Sequence, residues 1–457
     1  MTPLWWLALA GTLLLATSFL SGWIHRGPVT TFAIYLVVGV LIGPGVFALT
    51  KLPLSREHIH WLHVATEAAL VVSLFVTGLK LRLPLRDRGW LMALRLALPA
   101  MVLTAAGVAA VACLGLGWPF AAALAVAAVV SPTDPVLASL VSVDDARDDD
   151  PLRVALSGEA GLNDGTALPL LFLALALMEP GAEVSGVLAH WFTLDVLWEL
   201  AGGLALGLLG GWGLGYVGTH LRYTARDVAP SDFLALGIMV VVYAASQLLE
   251  VSGFLAAFAA GAGLRRVELS VSEGRDDRKP NEAVERETPA EMRVNPNERS
   301  QASVDHPSQT VGWVVSDALS FGETVERLIA VALVLAVGIT VIPQASWEGV
   351  LVAAVLLVVI RPLSTWIATI GCRVPWQRRL LIGWFGIRGL GSLNYMAFAV
   401  MHGLKGVSVP AFESVVLTVV AVSIVIHGVS VTPLMQWRER AIEAAKQRGT
   451  IDTVRNG

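Results

Sequence analysis

The sequence predicts an all-α polytopic membrane protein of about thirteen transmembrane helices, built as an inverted repeat of six-helix units with two crossing interrupted helices. Three observations predict it. The chain is 55% hydrophobic and 15% charged, with a mean hydropathy of +0.68, whereas soluble domains carry about 25% charged residues. Its apolar residues gather in stretches of about 20, the length a helix needs to cross a bilayer. Two of those stretches are broken by motifs that a regular helix does not accommodate.

The apolar stretches run near 4–22, 29–48, 60–79, 90–115, 118–142, 152–178, 194–218, 231–249, 252–264, 324–343, 348–371, 379–402 and 412–435. The ninth is short and also reads as a re-entrant pair with the eighth, which leaves the count open by one. The first lacks the basic leading region of a secretory signal, and its charges, His25 and Arg26, follow the apolar run, so it reads as a retained span. Arg26, then Lys80, Arg82, Arg86 and Arg88, then Arg147 and Arg153, Arg222 and Arg226, Arg265 and Arg266, and Arg373, Arg378 and Arg379 all follow odd-numbered spans. Lys51, Arg56 and Lys405 are the exceptions. Short cytoplasmic loops are enriched in Lys and Arg, so the pattern puts the N-terminus outside and the C-terminus, with Arg438, Arg440, Lys446 and Arg448, in the cytoplasm. Cys113 and Cys372 lie in or beside apolar spans and support neither a disulfide framework nor a metal motif.

Residues 265–315 mix charges of both signs with Pro and Asn, as in "SEGRDDRKPNEAVERETPAEMRVNPNERS". Such composition buries no core of its own and predicts a disordered, solvated cytoplasmic loop. It separates a first membrane part, 1–264, from a second, 316–435, which is followed by a short cytoplasmic tail, 436–457.

The fifth span is interrupted by "SPTDPV", Ser131 to Val136, and the twelfth by "GIRGLGS", Gly386 to Ser392. The interrupted spans are seven apart in order, an odd offset that means opposite orientation, so spans 1–6 and 8–13 form the expected inverted repeat with span 7 as connector. Paired interruptions point to a transporter's binding site. Breaking a helix exposes a positive N-terminal end and a negative C-terminal end. Asp134 is expected to offset the positive ends and Arg388 the negative ends, while carbonyl oxygens near Thr133 are free to replace part of a cation's hydration shell.

The sixth span carries Glu159, Asn163 and Asp164. A helix from Leu152 to Asp164 rises about 18 Å, about half the thickness of a membrane with its interfaces, so Asp164 lies near the midplane. An ionised group there costs at least ~2.5 kcal/mol and marks a functional site by default. Glu159 needs a partner at this depth. Arg361, in "VVIRPLS" of the eleventh span, is the candidate, as a structural pair rather than a transport site. Glu67 in the third span reads either as part of an ion pathway or as a carboxylate reaching the outer interface. His427 and Ser430 read as helix-packing hydrogen bonds ahead of a pH sensor, and the glycines from Gly202 to Gly218 as close helix packing.

Taken together, "SPTDPV", "GEAGLNDGTALPL", "EVSGFLAAFAAG", "SLFVTGLKL" and "GIRGLGS" resemble the monovalent cation:proton antiporters of the bacterial sodium/proton antiporter and animal sodium/hydrogen exchanger type. The match runs along nearly the whole chain outside the hydrophilic insertion and tail. It implies a homodimer in the cell inner (plasma) membrane, with a dimerisation domain and a six-helix core domain that moves as an elevator. It also implies that Asp164 binds either cation or proton, that Asn163 supports it, that a carbonyl of Thr133 is a ligand, and that Glu159 pairs with an Arg matched here by Arg361. Relatives often carry Ser directly after that Glu. This chain has Ala160, with Ser157 as the candidate substitute, which leaves lithium and potassium open beside sodium. Asn163 stands where electrogenic relatives carry a second Asp, so electroneutral exchange is expected. Neither a cofactor nor a nucleic-acid partner is expected. An ion channel is the competing class. An intramembrane enzyme is disfavoured, because no serine-elbow, His-Glu metal or nucleotide-loop motif stands in a credible context.

Overall fold

The structure is a computed structural model that describes residues 3–24, 27, 29–50, 55–84, 87–181, 183–273, 288–295 and 307–447. Among the described residues all regular structure is helical: α1 Pro3–Ile24, α2 Thr31–Ile42, α3 Arg56–Lys80, α4 Gly89–Gly115, α5 Phe120–Val130, α6 Pro151–Leu177, α7 Val184–Thr224, α8 Asp232–Leu248, α9 Gly253–Glu273, α10 Pro307–Gln344, α11 Trp347–Ala368, α12 Trp376–Trp384, α13 Leu390–Met401 and α14 Val409–Gln447. Seven of these, α3, α4, α6, α7, α10, α11 and α14, are long and apolar enough to cross a membrane by length and composition. Every apolar stretch read from the sequence contains helix.

Helix starts follow local chemistry. The Thr30 hydroxyl accepts from the Ala33 N–H at 3.4 Å, the Asp87 carboxylate from Gly89 at 2.6 Å, and Ser346 from Gly349 at 3.1 Å; each satisfies a donor that the first turn leaves open. Before α6, Asp150 accepts from Leu152 at 2.8 Å and Pro151 takes the first helical position, where its missing N–H costs nothing. In α4 the turn Leu96–Ala100 widens to π spacing around Pro99, because the proline cannot donate to the regular ladder.

Element bounds differ from the sequence reading in several places. Regular helix in the fifth span stops at Val130, and residues 135–141 form turns. The ninth span is a continuous 21-residue helix to Glu273, well past 264. The tenth begins at Pro307, well before 324. Residues 265–273 and 307–315 of the hydrophilic stretch are thus helical, and 288–295 carry a 3-10 turn at Ala290–Met292. The rest of that stretch, 274–287 and 296–306, on which the expected disorder also falls, lies outside the described residues, as does the end of the tail from 448.

The chain divides into two compact units, residues 1–62, 103–141 and 330–457 in the first and 63–102 and 142–329 in the second. Each draws on both sides of the hydrophilic stretch. In the first, α2 meets α10 backbone to backbone: a Cβ on Gly39 would lie 2.9 Å from the Gly338 Cα. In the second, α7 turns Gly203, Gly207, Gly211 and Gly215, all buried, toward α9. A Cβ on Gly203 would come within 2.7 Å of the Ser252 carbonyl oxygen, so small residues here allow dispersion contact between helix backbones.

Candidate functional site

In the first unit the two interruptions lie against each other. α5 ends at Val130 with Ser131 as its cap, and Phe385 to Gly389 run non-helical between α12 and α13. The Asp134 N–H donates to the Ile387 carbonyl at 2.8 Å, pairing one break with the other. The Asp134 carboxylate accepts from Leu137 N–H at 2.9 Å and from Gly391 N–H, in the first turn of α13, at 3.1 Å. Arg388 donates from Nη1 to the Ser131 carbonyl beyond α5, and its own N–H donates to the Ser423 hydroxyl of α14 at 2.8 Å. A carboxylate therefore meets a helix start and a guanidinium a helix end, which is the favourable polarity for both. Asp134 is 2% exposed and Arg388 0%, so these contacts replace the hydration both charges have lost. Thr133 is buried in the same break.

The break admits little side-chain bulk. A Cβ on Gly389 would lie 2.7 Å from the Asp134 Oδ2. We expect Gly389→Ala to displace that carboxylate and destabilise the protein by about 1–3 kcal/mol, the usual cost of overpacking; a melting temperature in detergent equal to wild type would contradict this. Arg361 is 1% exposed on α11, its side chain running beside Gly386, where a Cβ would meet the Nε at 2.8 Å. His427 of α14 places Nδ1 2.8 Å from the Ser423 carbonyl and Nε2 2.8 Å from the Trp384 carbonyl at the end of α12. The Trp384 indole donates to Ser430 at 3.0 Å. His427 and Ser430 thus fasten α14 to α12.

In the second unit, α6 buries Ser157, Glu159, Asn163 and Asp164, each no more than 2% exposed. Its glycines let neighbours come close: Gly158 faces Ala93 of α4, Gly161 the Phe258 ring and Gly165 the Leu255 side chain, both of α9. The Thr166 hydroxyl reaches the Ala97 carbonyl in the widened turn of α4 at 3.0 Å, where π spacing has changed the ladder. Ser157 accepts from the Val143 N–H at 2.8 Å, which ties the segment leading into α6 to the helix itself. Glu67, partly exposed on α3, accepts from the Tyr243 hydroxyl of α8. Ala160, one residue after Glu159, is 1% exposed.

Thr133, Asp134, Arg361 and Arg388 thus belong to the first unit, and Glu67, Ser157, Glu159, Asn163 and Asp164 to the second. Tyr243 and Ser423 escaped the sequence reading. Each is an ordinary polar residue in a span, and nothing local reveals a partner 176 or 35 residues away.

The chain has relatives in sequence and in fold. Over 434 residues the chain is 26% identical to the K(+)/H(+) antiporter NhaP of Alkalimonas amylolytica, covering 92% of this chain and 64% of that protein. It is 33% identical over 152 residues to the Na(+)/H(+) antiporter 2 of Zygosaccharomyces rouxii, covering 32% of this chain and 18% of the relative. The chain therefore spans under two thirds of either relative. Its fold matches a solved sodium proton antiporter from Methanocaldococcus jannaschii with a TM-score of 0.66 at 16% identity, covering 94% of this chain and 97% of that one. The proteins it resembles are transporters by name rather than enzymes. The sodium/hydrogen exchanger transmembrane family matches residues 13–275 and 315–437, and the chain belongs to that family.

Proposed function

We propose that the chain is a secondary active antiporter that exchanges a monovalent cation for a proton, with both competing for the Asp164 carboxylate. The observation that carries this reading is a carboxylate 1% exposed halfway along an apolar 27-residue helix in a chain of this family. Burial in low dielectric penalises the charged form of a carboxylate. A proton or a desolvated cation each relieves that penalty, and one occupant excludes the other. Asn163 supports the site with a neutral side chain. Accessory roles are proposed for Thr133 through its carbonyl oxygen, and for Ser157 and Glu67. Asp134 and Arg388 hold the interrupted helices by balancing their ends.

Sodium is the proposed cation. A second reading, potassium/proton exchange, has specific support in the name of the Alkalimonas relative, and Ala160 stands where members of the family often carry Ser. Proteoliposomes carrying a pH-sensitive dye and challenged in turn with sodium, lithium and potassium decide between them. Proton efflux driven by sodium is expected. Efflux with potassium alone would establish the second reading, and efflux with none of the three would sink exchange altogether. The proposed setting is the inner (plasma) membrane, as a homodimer with its N-terminus outside and its C-terminus in the cytoplasm.

Exchange is proposed to be electroneutral. A single carboxylate carries a proton on one leg and a monovalent cation on the other, so the loaded site has the same charge on both. Moving a net charge would couple transport to voltage by about 2.3 kcal/mol per 100 mV. Under a valinomycin-clamped potassium diffusion potential, with sodium or lithium as the substrate, initial rates should be the same at either polarity. Acceleration by one polarity and slowing by the other, with a current on solid-supported membranes, would show a second charge taking part, and Glu67 would be the first suspect.

A further inference from the structure

We propose that residues 288–295 are a latch that docks part of the hydrophilic stretch on α3, α9 and α10 and thereby positions the helix against which the Asp164 helix packs. The inference rests on the exchange site proposed above for its functional consequence, and on geometry alone for the docking.

The docking is made by four charges within the second unit. Arg265 of α9 is 1% exposed and Glu268, one turn on, is 0% exposed. Arg265 donates from Nε to the Leu79 carbonyl at the end of α3 at 2.6 Å, and from its two terminal nitrogens to the two Glu291 oxygens at 3.0 and 2.8 Å. Arg82, just beyond α3, grips the two Glu268 oxygens at 3.1 and 3.2 Å, and Glu268 also accepts from the Ala290 N–H at 3.2 Å. Ala290 is itself buried, with its carbonyl carbon 2.8 Å from where a Cβ on Gly312 of α10 would stand. Lys80 and Glu323, paired at 2.8 Å, join α3 to α10 nearby.

A solvated insertion with no role would leave such residues in water. Taking charges out of water is expensive, and the attraction between them compensates only when geometry is good and remaining donors and acceptors are met. Here two guanidiniums meet two carboxylates bidentately, the stronger form of the pair. Glu291 is the member contributed by the latch. Without it, buried Arg265 and half-buried Arg82 share one glutamate.

The same helix reaches the exchange site. On α9, Leu255 and Phe258 fill the space over Gly165 and Gly161, the glycines that bracket Asn163 and Asp164. Phe258 also meets the Trp90 ring edge-on at 6.2 Å between centroids, and its carbonyl presses on Gly78 of α3. From Phe258 to Arg265 is about 10 Å along the helix axis. One end of α9 is therefore held by the latch, and the other forms a wall for the helix that carries Asp164. Glu291 is a positioning residue that acts through α9.

The test compares full-length wild type, Glu291→Ala, Glu291→Gln and Asp164→Asn by hydrogen-deuterium exchange in detergent and by initial exchange rates against cation concentration in proteoliposomes. Glu291→Ala should raise deuterium uptake in 288–295, in α9 and in the α6 segment 158–166. It should also raise the apparent cation KM about threefold or more, within the range that residues off a binding site exert on it, with a smaller change in maximal rate. Glu291→Gln keeps one acceptor oxygen for Arg265 and loses the charge and the other acceptor, so it should fall between, which preserves the test if the alanine variant does not fold. Asp164→Asn should leave uptake in 288–295 unchanged. Extra uptake confined to 288–295 with KM unaltered would make this a docked loop without influence on the site and overturn the proposal, as would unaltered uptake in both Glu291 variants. If wild type exchanges no cation, the exchange reading fails by itself, and the uptake of α6 still decides whether the latch positions that helix.

Discussion

Asp164→Asn is expected to abolish cation-dependent proton flux in proteoliposomes while leaving the melting temperature and assembly state of the protein unchanged. Asparagine preserves the shape and one oxygen dipole of the side chain but holds neither a titratable proton nor a formal charge. The residue is 1% exposed on a helix whose immediate neighbours are glycine-spaced contacts with α9 and α4, so an isosteric change disturbs no packing. Removing an ionisable group from that depth also removes a cost of at least ~2.5 kcal/mol, which argues against any loss of stability. Flux distinguishable from that of protein-free liposomes would show that the exchanging carboxylate lies elsewhere.

Glu159→Ala is expected to do the reverse, lowering the melting temperature in detergent far more than Asp164→Asn does. Glu159 is 1% exposed, one turn before Asn163, and a carboxylate ionised at that burial is costly without a counter-charge. Deleting one member of a buried pair costs about 3–5 kcal/mol because the other is left uncompensated. The partner proposed from the sequence is Arg361, itself 1% exposed. A double variant replacing both with apolar residues of similar volume should recover part of the loss, whereas the Arg361 replacement alone should be as damaging as Glu159→Ala. Equal melting temperatures for Glu159→Ala and Asp164→Asn would show that Glu159 is not paired.

Much of this fold is legible in the sequence because a bilayer imposes a length and a composition on each helix. α3, α4, α6 and α11 stand where uninterrupted apolar runs put them, and Asp164 is conspicuous for its depth alone. The breaks are legible too, since "SPTDPV" carries prolines that cannot donate to a helix ladder and "GIRGLGS" carries glycines of low helix propensity. What the sequence withholds is pairing at long range. Asp134 and Arg388 are visible as charges at interruptions, but that the first meets Gly391 and the second Ser131, each 257 residues away, belongs to the folded chain. The hydrophilic stretch is the clearest case. Arg265, Glu268 and Glu291 read as solvated charges because their compensation by Arg82 and by one another depends on contacts up to 186 residues apart. For the same reason the true lengths of α9 and α10 escape a hydropathy reading, which stops a helix where charge begins. The turn structure after Val130 escapes it as well, because Val136 to Val141 are as apolar as any half-helix.

Competition between cation and proton at Asp164 is measured most directly by the protons released when cation is added to purified, weakly buffered protein in detergent, titrated across pH. Wild type should release a single proton for each cation bound, with release fading as the pH rises and the site empties of protons before the cation arrives. Asp164→Asn should release none. Cation binding to wild type with no proton release at any pH, or release undiminished in Asp164→Asn, would contradict the account.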